Sequence, residues 1–147
     1  MTGSVIEIDR GDYLRIQQAL DRLIQADARN LLTQMAGLVE NQTRRRVQQD
    51  KVGPDGRPWE AWSTRYAATR GPGKSLLQGE GDLMDSLDSQ VDDEAAEVGT
   101  NLVYGATHQF GDEDRNIPAR PYLGLSRDDL NELERLTVNY GERLLAA

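Results

Sequence analysis

The sequence predicts an α+β fold, a small antiparallel sheet set between long N-terminal and C-terminal helices. Three observations carry this prediction. Apolar residues recur at helical spacing from Tyr13 to Val47. Ser89 to Gly99 reads as two polar-edged strands around an acidic turn. A capped, leucine-striped segment follows Ser126. A length of 147 residues fits one domain, 1–147, with a mainly helical part at 1–50 and a C-terminal helix at 126–145.

In chain order, Val5-Ile6-Glu7-Ile8 reads as a short strand. Tyr13, Leu14, Ile16, Leu20, Leu23 and Ile24 form one helical stripe, and Leu31, Leu32, Met35, Leu38 and Val39 continue it past a polar break near Asp27. This gives two helices, or one long bent helix, over roughly 13–49, with most stripe positions in the core. Gly53 to Pro58 is turn punctuation, since Pro presets φ and Gly accepts positive φ. Trp59 and Trp62, three apart, are expected on one face of a short helix with Ser63-Thr64 near its start. Gly71-Pro72-Gly73 ends that segment. Leu76-Leu77 reads as a short strand or extended contact, and Gly81 to Leu87 as a short amphipathic helix. The hairpin turns at Asp92-Asp93-Glu94. Leu102 to Phe110 is helical and stops at Gly111. Ser126 caps the last helix, with Asp128 and Asp129 suiting its dipole and Leu130, Leu133, Leu136, Leu144 and Leu145 as its buried face.

Composition excludes several functions. The net charge is −8, so the surface as a whole does not grip nucleic acid. The chain has no cysteine, which removes disulfide and thiol chemistry and argues against structural zinc. No apolar run is long enough to span a bilayer, and no apolar signal core opens the chain. With 37% hydrophobic and 5% aromatic residues the core is modest, which favours support from neighbouring subunits.

The most informative motif is Ile117-Pro-Ala-Arg-Pro-Tyr-Leu-Gly-Leu125. Each proline locks its own φ and extends its predecessor, so Ile117 to Pro121 forms a stiff arm that is neither helix nor central strand. It reads either as a connector capping the core or as an arm built to lie on another surface. Ala68 to Ser75 satisfies a relaxed phosphate-loop pattern ending in Gly73-Lys74-Ser75. It lacks the apolar strand before it and the helix after it that such a loop requires, so it reads as a flexible loop with an exposed lysine. His108, the single histidine, has no ligand-spaced partners, and no metal or other cofactor is expected. Arg44-Arg45-Arg46 ends a helix, where its charge suits the dipole. It reads as a solvated basic face or as a contact patch for a phosphate backbone or an acidic subunit.

The order of short motifs is more specific than any one of them. Pro54-Asp55-Gly56 with Trp59 comes first, followed by Leu76-Leu77, Gly81-Asp82-Leu83, Ser86-Leu87 and Val98-Gly99-Thr100. Tyr104-Gly105-Ala106, His108-Gln109-Phe110-Gly111 and Ile117 to Gly124 complete the series. It resembles the phage virion-morphogenesis, or tail-completion, family of contractile-tailed phages of the P2 and Mu type, over about 42–145. Gly105 and Tyr122 depart conservatively from the family's usual Ala and Phe.

The resemblance implies a structural virion protein, not an enzyme, made in the bacterial host cytoplasm and acting at the neck or tail top. It implies a homo-oligomeric ring, often six-fold, around the DNA channel, with other neck or tail proteins as partners and no membrane. Genomic DNA would pass through the lumen without sequence-specific binding. In such a ring the proline arm and the loop 52–62 would tie neighbours. Trp59, Trp62, Tyr104, His108, Pro118, Arg120, Pro121 and Tyr122 are the expected interface residues, with Arg120 gripping a carboxylate of the next subunit. For Trp59 and Trp62 the plainer reading is monomer core. The alternatives are an assembly chaperone absent from the mature particle, a DNA-binding protein using Arg44, Arg45 and Arg46, and a nucleotide hydrolase using Lys74.

Overall fold

The computed structural model describes residues 7, 9–79 and 81–146. The strand expected at Val5 to Ile8 lies outside the described residues apart from Glu7, which is not in a strand.

Helix α1 runs unbroken from Arg10 to Arg45, about 54 Å at 1.5 Å per residue. Asp9 caps it: the Asp9 carboxylate accepts from the Asp12 backbone N–H at 2.8 Å, and Asp12 accepts in return from Asp9 N–H. At its far end Arg46–Asp50 widens into one π-helical turn, and Lys51 ends it in the left-handed region, φ 55°. A loop then closes on itself through paired Val52 and Pro58. Two four-residue helices follow, α2 (Thr64–Ala67) and α3 (Asp82–Asp85). Next come β1 (Leu87–Val91) and β2 (Ala96–Thr100), antiparallel and joined by a turn in which Asp92 accepts from Glu94 and Ala95 N–H. Helix α4 (Val103–Phe110) precedes the proline arm, and α5 (Arg127–Ala146) closes the chain.

The register pairs Leu87 with Thr100 and Ser89 with Val98. Leu87, Ser89 and Val91 therefore share one sheet face with Val98 and Ala96. That face lies along the second half of α1. Arg44 donates to Leu87 O at 3.0 Å, and Arg29 reaches Asp93 and Val91 O at the hairpin's turn. Helix α5 packs on the same half of α1, where Gln42 donates to Asp129 O and to the Glu132 carboxylate.

Several expectations need correcting. Four stripe positions in the first half of α1 are not core: Tyr13 is 60% exposed and Ile16 55%, with Leu14 and Leu20 also exposed. Leu130 and Leu145 of α5 point outward, and Asp129 and Tyr140 take the buried positions. Trp59 and Trp62 do not share a helix, because Trp59 N–H is spent on Lys51 O and α2 begins only at Thr64. Leu76-Leu77 is a turn, with Leu77 at φ 59°. The core gathers Val47, Trp59, Leu83, Met84, Leu87 and Tyr122, with Leu76, Leu77 and Leu123 packed against it.

Candidate functional site

The proline arm lies on the chain's own body. Gly111, at φ 75°, turns the end of α4 directly under it; a Cβ there would sit 2.8 Å from Ala119 N and Ile117 O. Asp112 and Ile117 exchange both backbone bonds at 2.8 Å, and Arg120 N–H donates to His108 O at 2.7 Å. Gln109 then holds the next residues, accepting from Tyr122 and Leu123 N–H and donating to Leu123 O. Tyr122 is fully buried, and its hydroxyl donates to Gly105 O at 3.1 Å. Gly105 sits close beneath this contact: a Cβ there would meet Thr100 Cγ2 at 2.6 Å and the Tyr122 hydroxyl at 2.9 Å, so an alanine would need those side chains to shift. Burial pushes the Tyr122 phenol up, which keeps it a donor.

Arg120 is buried as well. Its Nε donates to Glu60 O at 2.7 Å and a terminal nitrogen donates to Ala61 O at 3.2 Å. The guanidinium therefore staples the 59–62 segment to the arm. Trp59 is buried too, its indole N–H donating to Pro121 O at 2.8 Å. Pro118 and Pro121 are partly buried in the same knot. Within one chain the motif packs as a connector that caps the core.

The arginine run is likewise committed within the chain. Arg46 is buried and donates to Tyr122 O at 2.7 Å and to Gly124 O, and it is paired with the buried Asp129 carboxylate. Arg44 pairs with Glu40 at 3.0 Å. Arg45 lies within 4 Å of Asp50, Asp129 and Glu132. The three arginines do not share one open face: Arg46 is buried, Arg44 is half-buried and Arg45 alone is exposed. Lys74 donates to Gly79 O across a turn that has neither the strand nor the helix of a phosphate loop. Among the described residues no three His, Asp or Glu side chains gather as a metal site.

Trp62, Tyr104 and His108 do face one space. They line a half-open cavity of about 280 Å³ with Tyr66, Arg70, Ser75, Leu77, Gln78, Asp82 and Leu83. Trp62 meets Tyr66 edge-to-face at 5.8 Å, and Tyr104 meets His108 in the same way at 5.6 Å. The Arg70 guanidinium lies over both the Trp62 and Tyr66 rings, 5.6 and 5.5 Å from their centroids. Burial, with the nearby Arg120 cation, holds the His108 imidazole below its ordinary pKa. Tyr66 and Arg70 escaped the sequence reading, although the spacing Trp62, Tyr66, Arg70 is the i, i+4, i+8 signal of stacked side chains.

Most of the remaining exposed apolar side chains among the described residues fall on three helices, with Leu125 in the loop before α5. Tyr13, Ile16 and Leu20 share one stripe of α1. Val103, 92% exposed, and Phe110, 79% exposed, share one face of α4. Leu130, Val138 and Leu145 run along the outside of α5. No described helix is long and apolar enough to cross a membrane.

Three helices of this chain carry exposed apolar side chains, and the chain's relatives identify its family. Residues 12–140 match the Phage virion morphogenesis family. The chain belongs to that family. It is 33% identical over 135 residues to the "Putative capsid assembly protein G" of Escherichia phage Mu, covering 83% of this chain and 85% of that one. It is 37% identical over 149 residues to the Mu-like prophage FluMu G protein 2 of Haemophilus influenzae, covering 96% and 99%. The FluMu G protein 1 of the same organism is 32% identical over 132 residues, covering 85% of this chain and 88% of that protein. No solved structure matches the chain. The family and these relatives give this virion-morphogenesis protein a role in phage assembly.

Proposed function

We propose that this virion-morphogenesis protein is a non-enzymatic structural component of the head–tail junction or tail top, where copies associate in a ring around the DNA channel. The observation that supports this most is the set of three unlike apolar faces, on α1, α4 and α5, in one small chain. Unlike faces meet head to tail, and head-to-tail contacts close into rings when the rotation permits. The −8 charge suits a lumen through which DNA slides. The proline arm contributes by bracing the core behind these faces, and it does not cross between subunits.

A cryo-electron reconstruction of the particle's neck tests this. The expected result is a closed ring with α1 seated on a neighbouring copy. A particle that lacks the chain would overturn the structural role. The Mu relative's name, which speaks of capsid assembly, favours one second reading, an assembly factor released before maturity. Mass spectrometry of purified virions separates the two.

A further inference from the structure

We propose that the cavity between α2 and α4 is a docking pocket for a single carboxylate carried by a partner polypeptide, with Arg70 as its counter-ion. Arg70 is partly buried, yet among the described residues no carboxylate pairs with it, and its Nε is buried with no hydrogen-bond partner. A buried guanidinium N–H without an acceptor is costly, and the Trp62 and Tyr66 rings beside it compensate only in part. The Nδ1 of His108 is a second buried polar atom without a partner on the same cavity wall. A neutral imidazole can donate from one ring nitrogen. An entering carboxylate would then accept from Arg70 and from His108 while its apolar stem lies against Trp62, Tyr66 and Tyr104.

Charge and size decide the ligand class. Asp82 also lines the cavity, and burial together with the Asp82 charge raises the Tyr104 phenol pKa, so the site offers one cation against one nearby anion. That balance suits a monoanion better than a phosphate dianion. A volume of about 280 Å³ is at the small end for ligand sites. It admits one side chain or a chain end, and not a nucleotide. That the carboxylate belongs to a polypeptide rests on the assembly role proposed above.

The test uses the purified ¹⁵N-labelled chain at pH 7, titrated with N-acetyl-phenylalanine, its amide, N-acetyl-glutamate α-amide and inorganic phosphate. The two acids are expected to move the Trp62 indole and Arg70 Nε–H signals. The Trp59 indole, bonded to Pro121 O, is the internal control and should stay in place. Arg70→Gln should weaken acid binding about ten- to a hundredfold, the effect of losing one charge-assisted contact. Arg65→Gln on the exposed side of α2 should leave it unchanged. The tighter of the two acids identifies a chain terminus or an acidic side chain as the source. Equal binding of acid and amide, phosphate binding as tight as either acid, or acid binding unchanged in Arg70→Gln would overturn the pocket. Complementation of particle assembly with Arg70→Gln addresses the occupant separately. Acid binding lost with assembly intact overturns a polypeptide occupant and leaves the assembly role standing.

Discussion

The knot around Tyr122 and the first half of α1 are built on opposite terms. In the knot nearly every polar group is spent internally: Arg46 on Asp129 and Tyr122 O, Arg120 on Glu60 and Ala61, Gln109 on three backbone groups of 122–123. In α1 before Arg29, Tyr13, Leu14, Ile16 and Leu20 all face outward. The motifs richest in arginine, tryptophan and proline therefore serve the fold of one chain. The plain leucine and isoleucine stripe is what remains for a neighbour. Residue types that favour interfaces also favour any desolvated anchor, so their presence does not decide between the two.

The largest expected effect tests the knot. Asp129→Ala removes the carboxylate facing buried Arg46 and also breaks the cap of α5, where Asp129 Oδ2 accepts from Ser126 N–H and Ser126 Oγ accepts from Asp129 N–H. Leaving a buried guanidinium uncompensated costs about 3–5 kcal/mol. Urea denaturation should show that loss, and a change below about 1 kcal/mol would mean the Arg46–Asp129 pair is not a structural centre.

Arg120→Ala comes next. Read as an interface residue, it would leave the monomer untouched. Stapling 59–62 to the arm, it should cost about 2–4 kcal/mol, from two charge-assisted bonds and the carbonyls left behind. An unchanged denaturation midpoint with weakened assembly would restore the interface reading.

How legible this was depended on range. The Ser126 cap, the Asp92 turn and the halt at Gly111 involve bonds within a few residues, and composition and local spacing announce them. The burial of Arg46 depends on Asp129, 83 residues away, and that of Trp59 on Pro121, 62 residues away. Nothing local marks either pairing, so a basic run read as surface and a tryptophan pair read as one helical face. Periodicity likewise located the α1 stripe without saying that, among the described residues, Tyr13, Leu14, Ile16 and Leu20 stay exposed. At the pocket, residue type singled out Trp62, Tyr104 and His108 one by one without showing that they share a cavity, and Arg70 was hidden inside a pattern that resembled a phosphate loop.

His108 sits between the two regimes, bonded to the arm through its backbone and facing the pocket with its ring. Burial and Arg120 lower its folded pKa. As pH falls below about 6.5, the unfolded imidazole binds a proton that the folded one refuses. Stability should therefore fall as pH drops from that value toward the folded pKa and level off below it. One proton limits the slope to about 1.4 kcal/mol per pH unit, and the ring's partial exposure reduces it further. His108→Gln should flatten a Tm profile between pH 7 and 5. An equally steep profile in that variant would assign the slope to other groups, although the lowered carboxyls Asp92 and Asp112 titrate below this window.

The smallest effect on stability sharpens the comparison most. Ile16→Asp and Leu20→Asp place charges on a stripe that is already half in water. Each should change the stability of the isolated chain by less than about 0.5 kcal/mol, as exposed substitutions do. In a particle where the stripe is covered, the same carboxylates must be desolvated without a partner, and assembly should fail. A folded, thermally normal variant that cannot complement phage growth would separate the contact surface from the core. Normal growth would show that α1 reaches solvent in the particle too, and would leave the α4 face around Val103 and Phe110 or the outer face of α5 to hold the neighbouring protein.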